Sequence, residues 1–134
     1  MPGRSLAVGD LDRDGALDLV AAGTDGPARL FRNIASKRGH WLRLRLLDPS
    51  CGGRDAIGSE AVVRAGGRPG WAVLQPATSF LSSHEPVVHF GLGSAESIEE
   101  IRIQWADGSK ESFGGARADQ TMILHKGTGR RVTQ

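Results

Sequence analysis

Apolar and polar residues alternate along much of this chain, and the clearest case lies at residues 41–47. Leucines occupy every second position there, while Arg43 and Arg45 occupy the positions between them. Because successive side chains of a β-strand point to opposite faces, the segment predicts a strand with one buried and one solvated face. Residues 101–105 repeat the pattern, with two isoleucines separated by an arginine.

Shorter apolar runs, separated by glycine and polar turn residues, predict the remaining strands. These runs cover residues 5–9, 17–23, 28–33, 60–65, 71–75, 87–90, 110–113 and 121–125. No segment has a helical period, and 19 glycines supply turns. The pattern therefore predicts an all-β chain, with a sandwich or small open barrel built from residues 41–126. We expect a hairpin through residues 66–70 and a tail at 127–134 that frays.

Residues 10–18 form an acidic loop between two predicted strands. Its carboxylates occupy positions 1, 3, 5 and 9 and belong to Asp10, Asp12, Asp14 and Asp18, with Gly15 at position 6. Such closely spaced negative charges repel one another unless a cation lies among them, and Ca²⁺ accepts about six to eight oxygen ligands. We therefore predict a calcium site formed by these carboxylates and by the backbone carbonyl of Ala16. The alternative is a solvated acidic turn, since Asp and Gly are also common in ordinary turns.

The acidic loop is not an EF-hand, because that motif needs flanking helices and a glutamate where this chain has Ala21. Its DxDxDGxxD form between two strands resembles the calcium loop of FG-GAP (VCBS-type) β-propeller repeats. Residues 1–35 would then be a partial blade, because they predict one strand fewer than a full blade contains. Repeat units need neighbours to bury their apolar faces, and no second such loop follows. We expect missing N-terminal blades, or another copy of the chain, to pack against this one.

Further motifs are spread along the rest of the chain. They are His40-Trp41-Leu42, Arg54-Asp55-Ala56-Ile57-Gly58, Phe80-Leu81-Ser82-Ser83, His89-Phe90-Gly91-Leu92-Gly93 and Trp105-Ala106-Asp107-Gly108. In this order and spacing they resemble the ASPIC/UnbV domain, and the resemblance extends over residues 4 to about 126. The chain departs from the family's pattern at Gly53, Ser83 and Ala106. The resemblance implies a β domain at residues 36–127 that follows a propeller, with residues 128–134 as a flexible tail.

The resemblance also implies where such a protein acts. Members of that family are mostly exported and calcium-binding, so it implies an extracellular or periplasmic location. Animal members are associated with extracellular matrix, and some bacterial members are encoded in natural-product gene clusters. This chain starts without a charged and apolar leader, so we expect the export signal to lie outside it. No apolar run is long enough to span a bilayer.

Composition excludes one class of partner. The formal net charge is only +2, and basic and acidic residues are interspersed along the chain. Nucleic-acid binding would require a basic stripe or patch, which the sequence lacks. The hydrophobic fraction of 39% and the charged fraction of 24% are typical of a globular domain.

Catalysis finds weak support in the residue pattern. Ser83 and His84 are adjacent, and neighbouring residues of a strand point to opposite faces, which disfavours a nucleophilic triad. No Gly-x-Ser-x-Gly elbow is present. The histidines lack the spacing of a transition-metal site. We expect the lone Cys51 to be a turn or core residue rather than a nucleophile. Whether the protein is an enzyme stays open, with a noncatalytic role favoured.

Arg54, Asp55 and His84 are the candidates for a ligand site. The competing interpretation makes Arg54 and Asp55 a local ion pair that fixes their loop. His89 lies in a predicted apolar strand, so we expect its side chain to be hydrogen-bonded within the core or at an interface. Core packing is the favoured role for the tryptophans, with a sugar- or ligand-lining face as the alternative; they are Trp41, Trp71 and Trp105.

Two functions follow from these observations. The first is a calcium-binding, noncatalytic C-terminal module of an exported propeller protein, acting in adhesion or in binding a protein or carbohydrate ligand. The second is an enzyme or binding protein for a secondary metabolite, with a pocket between blade and sandwich.

Overall fold

The computed structural model describes residues 3–36 and 38–133, and these residues form strands, turns and one short 3₁₀ turn, without an α-helix. The prediction of an all-β chain is confirmed. The chain divides into two compact units. Unit 1 comprises residues 1–38 and 76–85, and unit 2 comprises residues 39–75 and 86–134. Residues 76–85 thus belong to the first unit, although the sequence analysis assigned them to the second.

Unit 1 contains a three-stranded antiparallel sheet in the order β1-β2-β3. Its strands are β1 (Gly3–Gly9), β2 (Asp18–Gly23) and β3 (Arg29–Phe31). The acidic loop joins β1 to β2. Both sides of this sheet keep large apolar side chains at least partly exposed, including Leu19 and Leu30.

The free edge of β1 is covered by residues 76–85, which we call the edge segment. The Ser82 hydroxyl donates a hydrogen bond to the Leu6 carbonyl at 3.1 Å, and the Val8 N–H donates to His84 Nδ1 at 3.0 Å. Side chains therefore satisfy backbone groups that another strand would otherwise pair.

Unit 2 contains the larger part of the sheet structure. Its strands are β4 (His40–Asp48), β5 (Arg54–Asp55), β6 (Glu60–Ala65), β7 (Arg68–Val73), β8 (Val88–Gly93), β9 (Ser97–Ile98), β10 (Glu100–Gln104), β11 (Lys110–Ser112), β12 (Ala116–Arg117), β13 (Gln120–His125) and β14 (Arg130–Arg131). A five-stranded antiparallel sheet has the order β14-β11-β10-β6-β7. In a four-stranded sheet, β4 pairs with β5 and β8 antiparallel and with β13 parallel. A small third sheet pairs β12 with β9.

The two larger sheets of unit 2 contribute to one hydrophobic core, as in a β-sandwich. The leucines of β4 and the isoleucines of β10 are almost completely buried, as the alternation predicts; they are Leu42, Leu44, Leu46, Ile101 and Ile103. The prediction of a solvated opposite face on β4 holds for Arg45 but is wrong for Arg43, which is 5% exposed. The indole of Trp105 lies in the same core and meets Phe113 edge-on, with ring centroids 6.3 Å apart. No sheet closes into a barrel among the described strands.

The β6–β7 hairpin turns more tightly than the sequence predicts. Ala65 pairs with Arg68, so only Gly66 and Gly67 form the turn. Both glycines have positive φ, at 57° and 71°, and a two-residue turn of that kind matches the twist of paired strands. Strand β7 therefore begins at Arg68 rather than at residue 71.

The end of the chain also differs from the prediction of a flexible tail at 128–134. Arg130 and Arg131 form β14, which pairs with β11, and the Val132 N–H donates to the Lys110 carbonyl at 3.0 Å. The open edge of β11 supplies this pairing, and the local sequence of the tail gives no indication of it.

Candidate metal centre

The acidic loop folds back onto its first residue. Asp10 follows β1 and is 5% exposed, and its carboxylate accepts hydrogen bonds from the N–H groups of Asp14 and Gly15, both at 3.0 Å. Gly15 adopts a φ of 87°, a conformation that favours glycine, and this lets the chain reverse at that point.

The last aspartate of the loop ties the loop to the rest of unit 1. Asp18 is 3% exposed, and its two carboxylate oxygens accept from the Leu11 N–H at 3.1 Å and the Asn33 N–H at 2.8 Å. The sequence folds this way locally because a buried carboxylate needs hydrogen-bond donors, and the loop backbone provides them.

The structure brings together three of the predicted ligands. Carboxylate oxygens of Asp10, Asp12 and Asp18 all lie within 4.8 Å of one another. Oxygens that share one Ca²⁺ lie no farther apart than twice the Ca–O distance, about 5 Å, so the spacing fits one calcium ion. Ala16 lies in the same loop and is 7% exposed.

Asp14, the remaining predicted carboxylate ligand, makes other contacts. One of its oxygens accepts from the Ala16 N–H at 2.9 Å, and the other lies 2.5 Å from Arg38 Nη1. The Ala16 hydrogen bond, followed by the Arg38 guanidinium, holds the pKa of the Asp14 carboxyl below its ordinary value of 3.8. Arg32 Nη2 lies 2.6 Å from Asp12 Oδ2, so arginines offset part of the loop's negative charge.

The candidate ligand residues Arg54, Asp55 and His84 have structural contacts. His84 lies in the edge segment, where its Nδ1 accepts from Val8 and its Nε2 contacts the Thr78 hydroxyl. Because Nδ1 accepts a hydrogen bond, the neutral ring carries its proton on Nε2, and Nε2–H donates to the Thr78 hydroxyl. Arg54 and Asp55 form β5 in unit 2.

The predicted ion pair between Arg54 and Asp55 does not form. The Asp55 carboxylate lies 2.8 Å from Nε of Arg45, on the neighbouring strand β4. Leu47 and Asp55 are paired across these strands, so Arg45 reaches Asp55 diagonally across the same face. Adjacent residues of a strand point apart, and for this reason sequence neighbours are poor ion-pair candidates.

The tryptophans have three different environments. Trp105 is 2% exposed and belongs to the core, as predicted, whereas Trp71 is 62% exposed and the prediction of a core residue is wrong for it. Trp41 stacks on His89 with an interplanar angle of 11° and ring centroids 6.3 Å apart. Cys51 lies exposed in the 3₁₀ turn Pro49–Cys51, consistent with the predicted turn residue.

The sequence analysis missed a charged cluster in unit 2. Lys126 Nζ lies 3.2 Å from Asp48 Oδ2 and 2.5 Å from Asp107 Oδ2. Each aspartate also accepts from the N–H and the hydroxyl of the serine two positions later, Ser50 and Ser109. The repeated Asp-x-Ser spacing is the signal that predicts such turns.

No helix of the described chain has the length and apolar character needed to cross a bilayer.

Comparison with known proteins gives two findings. The sequence profile described as ASPIC and UnbV matches residues 50–131. The chain is also 28% identical to cartilage acidic protein 1 of Homo sapiens and 30% identical to that of Xenopus tropicalis, each over 128 residues. These alignments cover 91% of this chain, so the similarity extends into the residues before 50, and they cover 19% of each relative. The chain thus spans about a fifth of the length of these curated relatives.

Proposed function

The chain belongs to the ASPIC and UnbV family, and from this membership and the acidic loop we propose that it is a calcium-binding, noncatalytic module of an exported protein. It acts in adhesion or in binding a protein or carbohydrate ligand. The observation that supports calcium binding is the convergence of Asp10, Asp12 and Asp18 within 4.8 Å. The relatives' name associates them with cartilage, a tissue rich in extracellular matrix, and this supports an extracellular location.

In this proposal Asp10, Asp12 and Asp18 hold Ca²⁺, with the Ala16 carbonyl as a further ligand. When bound, the ion supplies positive charge that offsets the repulsion among the carboxylates. Backbone hydrogen bonds already fix Asp10 and Asp18, so their ordering adds little to the cost of binding. Asp12 exchanges its contact with Arg32 for the ion.

An open groove gives access to the loop within unit 1. It has a volume of about 380 Å³ and is lined by Asp10, Leu11 and Arg13 of the loop and by His84 of the edge segment, among others. An enzymatic role finds no support in His84, because both ring nitrogens are engaged by Val8 and Thr78.

Calcium titration of the Asp12→Asn variant tests this proposal. Asp12 is the useful position because its contact in the structure is to Arg32, whereas Asp10 and Asp18 also hold the backbone. Binding to the folded state alone stabilises it by about 2.7 kcal/mol at a calcium concentration 100 times Kd. We expect scanning calorimetry to show this stabilisation in the native protein and its loss in Asp12→Asn.

Asp25→Asn is the matched control, because Asp25 is an exposed carboxylate of unit 1 that lies outside the acidic loop. It should keep the full calcium response. A response of equal size in Asp12→Asn would refute the assigned site, and no binding by the native protein at millimolar calcium would refute calcium binding by this chain.

We also infer what packs against unit 1. Leu6, Leu19 and Phe31 share one face of the β1–β3 sheet and are 42%, 39% and 52% exposed, although they are large and apolar. Exposed apolar clusters of this kind mark interaction surfaces. In our proposal, further propeller blades or another copy of this chain cover them, in keeping with the greater length of the relatives.

A further inference from the structure

The five-stranded sheet has an outer face, opposite the core, on which side chains paired across the strands form a row. One of these side chains is an exposed aromatic residue. Residues paired directly across antiparallel strands share a face. One such row crosses all five strands: Trp71, Val62, Arg102, Ser112 and Arg130. The neighbouring row on the same face consists of Val73, Glu60, Gln104 and Lys110. With strands about 4.8 Å apart, the first row is about 19 Å long.

Trp71 lies at one end of this face as a fixed, solvent-exposed plane. Its side chain is 62% exposed, and its Nε1–H donates to Glu60 Oε2 at 3.1 Å. This bond holds the orientation of the indole, so a ligand that stacks on it meets a preorganised surface. Tryptophan is enriched at binding interfaces because its N–H can be hydrogen-bonded while its ring offers a large apolar face, and Trp71 has that arrangement.

A groove continues from Glu60 and Val62, next to Trp71, towards the other end of the face. Its volume is about 260 Å³, and its lining includes Arg102, Gln104, Lys110 and Glu111. The Glu111 carboxylate accepts hydrogen bonds from the backbone N–H groups of Gly127 and Gly129. The groove therefore combines an apolar floor with amide, carboxylate and cationic groups at its sides.

The charges of the outer face are arranged asymmetrically. Glu100 is paired with Arg102 Nε at 2.8 Å, and Glu60 is engaged by Trp71. At the far end, Lys110 and Arg130 have no ion-pair partner among the described residues. Anionic groups of a ligand are thus favoured at the Lys110–Arg130 end and disfavoured beside Glu60.

We propose that this outer face binds an acidic polysaccharide. A pyranose ring has an apolar C–H face that stacks on the Trp71 indole, while its hydroxyls donate to Glu60 and bond to Gln104. A carboxylate or sulfate farther along the chain is bound by Lys110 and Arg130. The row length accommodates several sugar units, and no covalent step is involved. This inference deepens the proposed ligand-binding function by assigning it a surface and a ligand class.

A nucleic acid is the competing ligand, since bases also stack on aromatic rings. The outer face favours a sugar because the Glu60 carboxylate lies against the only aromatic side chain of the two rows and repels nearby phosphodiesters. Sugar hydroxyls, in contrast, are hydrogen-bond donors to that carboxylate.

The test is a binding titration of the full chain with polygalacturonate, which carries carboxylates, and with heparin, which carries mainly sulfates. The buffer contains EDTA and little salt, so calcium held by the polymers does not contribute. We expect at least one polymer to bind and Trp71→Ala to raise its Kd by at least tenfold. Lys110→Gln with Arg130→Gln should weaken binding as strongly and reduce its salt dependence. The polymer that binds identifies the anionic group.

Matched control variants distinguish binding at this site from nonspecific binding. Phe80→Ala removes an aromatic side chain with the same 62% exposure, and Arg29→Gln with Arg117→Gln removes the same charge elsewhere. Both controls should bind as the native chain does, and thermal melts verify that every variant is folded.

Several results would overturn the proposal. They are an absence of binding to both polymers, equal losses in the control variants, equal affinity for neutral dextran, or tighter binding of a single-stranded oligonucleotide. The test is independent of the calcium proposal. Trp71→Ala should keep the calcium response, and Asp12→Asn should keep polysaccharide binding in EDTA, so failure of one proposal is distinguishable from failure of the other.

Discussion

Aspartate residues serve two different purposes within a few positions of the acidic loop. Asp10 and Asp18 are buried and accept hydrogen bonds from backbone N–H groups, whereas Asp12 is more exposed and contacts Arg32. The spacing of carboxylates in the sequence identifies all of them as candidate ligands, but not which ones also shape the loop. That distinction depends on Asn33 and Arg38, which lie many residues away along the chain.

At the same scale, the contacts of Lys126 predict how stability depends on pH. The hydrogen bond from Lys126 holds the pKa of Asp107 well below its ordinary value of 3.8, and Ser50, followed by Lys126, lowers the pKa of Asp48. A carboxyl with a lowered folded pKa stabilises the protein above its unfolded pKa, and this stabilisation is lost as the pH falls towards the folded value. The melting temperature should therefore decrease as the pH is lowered below about 4.

The Lys126→Gln variant checks the cause of this acid sensitivity. This variant should melt at a lower temperature than the native protein at neutral pH. On acidification its melting temperature should decrease less than that of the native protein, because without Lys126 the pKa of Asp107 returns towards 3.8. Arg117→Gln, which removes an exposed charge elsewhere in unit 2, should retain the full acid effect. An acid effect of unchanged size in Lys126→Gln would contradict the assignment.

At the scale of elements, the sequence predicts long strands well and short ones poorly. The alternation in β4 and β10 is clear because one face of each strand is buried along its length. Strands β5, β9 and β12 have two residues each, too few to show any period. The parallel pairing of β13 with β4 joins residues far apart in the chain, and local pattern carries no information about it.

Close backbone approach between short elements gives a stability prediction. A Cβ added at Gly115 would lie 2.6 Å from the Ile98 carbonyl oxygen and 3.2 Å from that of Glu99, and both contacts are to backbone. Gly115→Ala should therefore lower the free energy of unfolding by about 1–3 kcal/mol, as overpacking substitutions do. Chemical denaturation measures this change.

Gly91→Ala is the matched control, since Gly91 lies in β8 and a Cβ there would meet nothing within 4 Å. It should be neutral or slightly stabilising, because alanine restricts the unfolded chain more than glycine does. Equal destabilisation by the two substitutions would contradict the steric explanation.

At the scale of the molecule, buried apolar side chains are distributed unevenly. Among the described residues, Ala16 is the only buried apolar residue of unit 1, whereas unit 2 has an extensive core. Partial-blade character is an expectation from the acidic loop motif, and the uneven burial is consistent with a sheet that has packing partners. The expectation of such partners came from the sequence, because repeat units need neighbours to bury their apolar faces. Which side chains stay exposed is set by the strand pairing in the folded sheet, which the local sequence does not show.

Self-association of the chain tests the role of these exposed side chains. If a second copy substitutes for further blades, the native chain should associate with increasing concentration in sedimentation experiments. Phe31→Lys should weaken that association, because it places a charge within the exposed apolar cluster. Ile57→Lys, at an exposed isoleucine of unit 2 that lies outside the cluster, should leave it unchanged. Association unaffected by Phe31→Lys would place the contact elsewhere.

The assignment of the edge segment to unit 1 has a consequence for how such proteins evolve. The polypeptide passes between the two units three times, near residues 38, 75 and 85. A single recombination event therefore cannot exchange one unit for a foreign one without also dividing it. A gene fragment that starts at residue 39 would still encode Ser82 and His84, but it would lack the backbone of β1 that they bond. The two units are consequently expected to be inherited together, and natural shuffling breakpoints should lie outside this chain's span from β1 to the edge segment.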